Sequence, residues 1–305
     1  MKKEEPQPVV VQSVAQQHQV IGIRKPKHPL VSIFRFDEVP KAVIEQKVKF
    51  ISHLYQITLK KGCPCKVKYG QTPYDFDEGI MSFFAPKQIQ IIEPGDWQPQ
   101  SGWALLIHPD FIRNFPLHQK IREYGYFGYE LNEALILSED EEKTIENILN
   151  QIKKEISLPI DNFSQDITIA NLDLLLSYCN RYYNRQFIVR KPINNSLLQK
   201  AELILTTYFE NSANVKGLPT TTFLASQLNL SPKYLSDCLK KQYGQTAQQF
   251  IHEKLIEYAK DILASTELSV NEIAYQLGFE FPQSFSKLFK SKAKQTPLEY
   301  RQSFN

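Results

Sequence analysis

The chain has 305 residues, of which 42% are hydrophobic and 23% charged, and its formal net charge is +3. That mixture fits a globular protein with room for two ordinary domains, and it excludes a polycation that binds nucleic acid over its whole surface. Four cysteines are too few for a disulfide framework in a chain of this length, and without a long uninterrupted apolar run a membrane span is not expected.

The opening stretch, MKKEEPQPVVVQSVAQQHQV, mixes both charges with glutamines and lacks the apolar core and cleavage site of a secretory leader. It predicts a flexible tail over residues 1–29 and a cytoplasmic protein. From residue 30 to about 137 the pattern is strand-rich. Runs at Phe50–Gly62, Ile80–Gly95 and Gly102–Phe111 are β-branched and aromatic, with Pro, Gly, Asp and Asn between them. Several short strands of this kind predict a small antiparallel barrel or sandwich.

Ser138 then opens a helix with capping-box spacing to Glu141 and acidic residues in its first turn. Ile145, Ile148, Leu149, Ile152 and Ile156 form its apolar stripe. A second helix is predicted over Ile167–Gln186. Leu172, Leu175, Leu176 and Cys179 share one face, which Leu174 and Tyr178 widen. So broad a face calls either for two partners, the strands and another subunit, or for burial within one chain. The aromatic segment Arg122–Leu131, with Tyr124, Tyr126, Phe127 and Tyr129, reads as packing between strands and helices rather than a pocket lining. Residues 30–188 thus read as one domain, strand-rich to about 137 and then helical. Residues 189–196, VRKPINNS, are polar and interrupted by Pro192, and read as a linker. Residues 197–305 are helical almost throughout. The fold class is α+β.

Two motifs suggest chemistry without supplying it. Cys63-Pro64-Cys65 has no second pair to complete a zinc site and reads as a packed or surface thiol pair. His53, His108 and His118 lie in the strand-rich part without a His-x-His or a nearby Glu, and His108-Pro109-Asp110 reads as a turn at a strand end. No phosphate-binding glycine loop or nucleophile elbow is present. Neither catalysis, a metal nor a cofactor is expected.

The C-terminal part repeats itself. Ala225, Leu228 and Leu230 match Ala274, Leu277 and Phe279 at a shift of 49. Leu235, Leu239, Lys240, Gln245, Thr246 and Phe250 match Phe285, Phe289, Lys290, Gln295, Thr296 and Tyr300 at a shift of 50. One supersecondary unit is therefore used twice, with one extra residue at or after the second turn. Each copy meets the needs of a helix-turn-helix. Ala225 and Ala274 are small where helices cross, and Asn229 and Gly278 stand where the turn needs a left-handed residue. Ser231-Pro232 supplies a cap and a first-turn proline, whereas Phe281 before Pro282 is a poor cap. Ser269 with Glu272, and Thr296 with Glu299, make capping boxes. The connector Thr246–Thr266 predicts a helix of about 27 Å, able to hold two such units about one DNA turn apart.

Residues 197–305 carry twelve Lys and Arg against ten Asp and Glu, so placement matters more than excess. Lys233, Lys240 and Lys241 fall on the first recognition helix, and Lys287, Lys290, Lys292 and Lys294 on or after the second. Such lysines neutralise phosphates, while Gln283 and Ser284 read base edges. The alternative is that they only solvate the outer helix faces.

The extended pattern resembles the AraC/XylS family of bacterial transcription regulators over roughly Leu197–Arg301. It is most specific at Ile273-Ala274, Leu277-Gly278-Phe279, Phe285, Phe289-Lys290, Pro297 and Tyr300-Arg301. The resemblance implies DNA-facing positions at Lys233, Tyr234, Ser236, Asp237 and Lys240 in the first copy. In the second it implies Pro282, Gln283, Ser284, Lys287 and Lys290. It also implies a cupin-like ligand-sensing or dimerising N-terminal domain. The expected partners are double-stranded DNA, a small-molecule effector, RNA polymerase and a second copy of the chain. Three positions depart from the family pattern: Asp237 replaces a basic or amide residue, Leu255 an arginine and Lys294 a glycine. The rival readings are a non-catalytic protein-interaction adaptor and a metal-dependent barrel enzyme with an attached DNA-binding domain.

Overall fold

A computed structural model describes residues 8–41, 45–62, 68–69, 72–73, 79–92, 101–129, 133–189, 191–211 and 217–303. Cys63 and Cys65 lie outside them. The chain divides into two units, Met1–Gln186 and Phe187–Asn305.

In chain order the N-terminal unit contains β1 (Val9–Val11), α1 (Val14–Val20), β2 (Val31–Arg35), β3 (Val48–Ser52) and β4 (Tyr55–Lys61). The short pair β5 (Lys68–Tyr69) and β6 (Thr72–Pro73) precedes β7 (Ile80–Phe84), β8 (Ile89–Ile92) and β9 (Ser101–Ile107). Then follow α2 (Pro109–Ile112), α3 (Leu117–Glu123), β10 (Leu135–Ile136), α4 (Glu139–Ser157) and α5 (Ser164–Val189), whose last three residues belong to the second unit. One sheet has the order β10-β7-β4-β9-β2 and another β1-β3-β8.

Among the described residues both of these sheets are open, where the sequence suggested a small barrel or sandwich. The reason lies at two corners. The chain leaves β3 at Ser52 and enters β4 in the other sheet, and it leaves β7 at Phe84 and returns to the first sheet as β8. Lys87, at a positive φ of 68°, donates its amide to the Ser52 carbonyl at 2.6 Å and ties the corners together. Consecutive strands therefore sit in different sheets, and no ladder joins the two sheets among the described residues.

Alternation along β4 gives the larger sheet two unlike faces. Tyr55, Ile57 and Leu59 point one way, beside Phe83, Met81, Leu105 and Trp103 on the neighbouring strands. This face receives the helices: the Cys179 thiol of α5 lies 3.8 Å from the Met81 sulfur, and Lys61 pairs with Glu142 and Glu146 of α4. Gln56, Thr58 and Lys60 point the other way, beside Ser82 and Ala104. One end of that inner face is covered by a cluster of Val14, Phe34, Leu54, Ala104 and Leu106.

The predicted α4 begins as expected, with Ser138 and Glu141 exchanging both capping-box bonds. The aromatic segment packs: Tyr126, Phe127 and Tyr129 are buried, and the Tyr126 hydroxyl donates to the Leu176 carbonyl at 3.1 Å.

The expected flexible tail requires correction. Val9–Val11 adds to β3 in parallel, and Ser13 caps α1. Val14 is fully buried, and His18 is buried between the Arg24 carbonyl and the Ser32 hydroxyl. Three consecutive β-branched residues and a serine cap were the signals, and the surrounding charges and glutamines obscured them.

The C-terminal unit contains α6 (Lys191–Asn211), α7 (Thr221–Gln227), α8 (Pro232–Tyr243), α9 (Ala247–Ser265), α10 (Val270–Gln276), α11 (Pro282–Ala293) and α12 (Pro297–Gln302). Of the stretch read as a linker, 189–196, residues 191–196 instead open α6, and Pro192 falls in its first turn, where a missing amide N–H breaks no helical hydrogen bond. One apolar core joins α6 to α12 through Leu205, Leu224, Leu255, Ile273, Phe285 and Phe289.

Candidate nucleic-acid interface

The two copies close their turns in the same way. The Leu230 amide donates to the Ala225 carbonyl at 2.9 Å, and the Phe279 amide to the Ala274 carbonyl at 3.0 Å. The residues between them, Asn229 and Gly278, have φ of 55° and 87°. Their amides donate one turn back, to Ser226 and Tyr275, at 3.1 and 3.0 Å. This pair of bonds ends a helix with a left-handed residue and turns the chain sharply into the next one. Ala225 and Ala274 are fully buried under the turn, while Leu235 and Phe285 anchor the helix that follows.

That following helix is α8 in the first copy and α11 in the second. Pro232 and Pro282 occupy their first turns. Ser231 caps α8 by accepting from the Tyr234 amide at 3.1 Å, whereas Phe281 gives α11 no side-chain cap. Both helices end on a left-handed residue, Gly244 at φ 72° and Lys294 at φ 64°. Between them α9 runs for 19 residues, about 28 Å at 1.5 Å per residue. Thr246 and Gln249 cap its start, and Leu255 is wholly buried in the core.

The exposed surfaces of α8 and α11 differ. On α11, Gln283, Ser284, Lys287 and Lys290 are all exposed and Pro282 is half-buried, so polar and cationic groups run from the first turn to the last. Phe281, which the sequence marked only as a poor cap, is 61% exposed beside them. On α8, Lys233, Lys240 and Lys241 are exposed. The half-buried Asp237 faces Lys233 at 3.5 Å. The Ser236 hydroxyl is half-buried and accepts from the Ala247 amide at 3.4 Å, which occupies it in holding the start of α9.

Tyr234 is corrected by its surroundings. It is 1% exposed, with its ring 5.3 Å from that of Phe187, and packs rather than joining the outer row. It stands two residues before Ser236 and one before Leu235, so on a helix it turns inward beside the core positions.

Two of the histidines that the sequence set aside as metal ligands have local partners. His108 caps α2 by accepting from the Asp110 amide, and His118 lies 2.9 Å from the Arg122 guanidinium. Among the described residues no three of His, Cys, Asp and Glu gather as a metal site would need. No helix among them is long and apolar enough to cross a membrane.

Comparison with known proteins places residues 224–303 in a helix-turn-helix domain family. The xylose operon regulatory protein of Escherichia coli K12 is 34% identical over 106 residues, covering 35% of this chain and 26% of that protein. The transcriptional activator RhaS of Escherichia coli SMS-3-5 is 29% identical over 156 residues, covering 50% of this chain and 51% of that one. The C-terminal domain of the response regulator yesN from Fusobacterium nucleatum is 36% identical in sequence, with a TM-score of 0.29, covering 33% of this chain and 98% of that domain. The chain spans about half or less of the length of these curated relatives.

Proposed function

We propose that this chain, whose C-terminal unit is a DNA-binding double helix-turn-helix domain of the AraC/XylS type, is a sequence-specific transcription regulator rather than an enzyme. The observation that carries the reading is the duplicated turn. Two buried, main-chain-bonded corners each present a helix with exposed lysines, and a rigid helix of 19 residues separates them. In this reading α8 and α11 enter neighbouring major grooves. Lys233, Lys240, Lys241, Lys287 and Lys290 hold phosphates, while Gln283 and Ser284, in the first turn of α11, read base edges. Asp237 accepts from a cytosine amine or leaves the first copy a weak reader.

The N-terminal unit serves as a cupin-like sensing and dimerising module. Its polar inner sheet face supports an effector role. Phe163, just before α5, and Ile167 and Leu174 on it are exposed and support a homodimer. RNA polymerase is the further partner, and the cytoplasm the location.

Selection of random duplex DNA by the full chain, at one physiological salt concentration, tests the reading. Two enriched blocks one helical turn apart support both helices as readers. One block assigns reading to α11 alone. No enrichment overturns the proposal and favours a protein-binding adaptor.

A further inference from the structure

The inner face of the five-stranded sheet buries polar groups that no described residue satisfies. Gln56 and Thr58 are 8% and 9% exposed, yet the Gln56 Nε2 and the Thr58 Oγ1 have no hydrogen-bond partner. An unpaired buried polar group costs about 1–3 kcal/mol, so folded proteins rarely keep two side by side without an occupant. Strand alternation puts Lys60 on the same face, two residues beyond Thr58. Lys60 is half-buried and, among the described residues, makes no ion pair or hydrogen bond. Its neighbour Lys61, on the opposite face, is held by Glu142 and Glu146. Two consecutive lysines thus meet opposite fates: one is neutralised by the protein, while the other points inward uncompensated. Burial pulls the Lys60 ammonium below the ordinary lysine range, the sign of a cation without its anion.

The register completes the arrangement. Thr58 lies between Ser82 and Ala104, and Lys60 between Ile80 and Gly102, so small residues flank Thr58 on both sides and Lys60 on one. The groups on offer are donors: an amide NH2, two hydroxyls and one ammonium. They match an acceptor-rich ligand. Among the described strands of this sheet Lys60 is the one cation on that face; a ligand of one negative charge balances it, whereas a dianion would bury an unpaired charge.

We infer that Gln56, Thr58, Lys60 and Ser82 form a binding site for a small monocarboxylate, whose carboxylate pairs with Lys60 and accepts from Gln56 and Thr58. The site deepens the sensing role proposed for the N-terminal unit, and rests on that reading only for its regulatory meaning.

The test is thermal melting of the full chain with formate, acetate and propionate, against chloride at equal ionic strength and acetamide as the neutral match. Inorganic phosphate provides the dianion. The wild type is expected to gain roughly 5 °C or more at a hundredfold excess over Kd with at least one carboxylate. Acetamide and phosphate should leave it unmoved. Lys60→Met should abolish the response, and Gln56→Leu with Thr58→Val should weaken binding at least tenfold without lowering the ligand-free melting temperature. The proposal is overturned if no carboxylate stabilises the chain, if acetamide or phosphate does equally well, or if Lys60→Met responds like the wild type. It is also overturned if the apolar pair melts lower with its response intact, which would mark these groups as a water-satisfied structural network. DNA selection run on the same preparations separates the two claims. Enrichment without a carboxylate response loses the site alone, and a response without enrichment loses the regulator alone.

Discussion

Lys233 and Asp237 stand one turn apart on α8, with the ammonium 3.5 Å from the carboxylate. The pair is partly exposed and contributes at most about 1 kcal/mol to stability. Its effect on DNA is larger, because a lysine engaged by a carboxylate on its own helix is a weaker phosphate ligand. Asp237→Asn is therefore expected to steepen the slope of log K against log salt by about one unit, while Lys287→Ala flattens it by about one. Fluorescence anisotropy on a selected site across a salt series measures both. Equal slopes in Asp237→Asn and wild type would show that Lys233 was already committed to phosphate.

Lys294 ends α11 at φ 64°, where Gly244 ends α8 at φ 72°. A side chain in that region costs about 1–2 kcal/mol, part of which glycine returns as chain entropy in the unfolded state. Lys294→Gly is expected to stabilise the chain by about 0.5–1 kcal/mol, read as a higher urea midpoint. Gly278→Ala, at φ 87°, is expected to destabilise it by about 1–2 kcal/mol.

Ala274 is fully buried beneath the second turn, and its carbonyl accepts the Phe279 amide. Ala274→Leu forces extra methylenes into that crossing at a cost of about 1–3 kcal/mol. Expressed with the first copy intact, this variant should lose the α11 block in DNA selection and keep the α8 block. Loss of both would mean that the copies do not fold their surfaces independently.

Acid should act through the capping boxes. Hydrogen bonds from Ser269 and Thr296 hold the Glu272 and Glu299 carboxyls below the usual range. A carboxyl depressed on folding stabilises fully above its unfolded value, near 4.5, and loses that contribution as pH falls through the lower folded value. Gln249 closes the equivalent box on α9 without a charge. Replacing both glutamates with Gln should therefore keep the helices and flatten the fall in stability below about pH 5. Urea midpoints between pH 3 and 7 provide the check.

What the sequence revealed follows from what is local. A capping box needs two side chains three residues apart, so Ser138 and Glu141 or Thr296 and Glu299 can be read directly. The turn is also local: Asn229 and Gly278 were marked by the conformation each tolerates. Distant pairing was not legible. Nothing within Val9–Val11 says that its partner is β3 some forty residues later, and nothing in the β3 run says that it belongs to a different sheet from β4. Tyr234 was misread because family position gave it a face that packing against Phe187 denies. The orphaned Gln56 and Thr58 escaped notice because polar residues in a strand read as solvent-facing until a second layer covers them.

The bonds that form each turn join main-chain atoms alone, from Leu230 to Ala225 and from Phe279 to Ala274. Side chains on the outer rows of α8 and α11 take no part in them. The residues that shape a copy and the residues that read with it can therefore be inherited separately. A lineage can revise one half of its binding site, a few exposed positions at a time, while the other half preserves the old address and neither copy risks its fold.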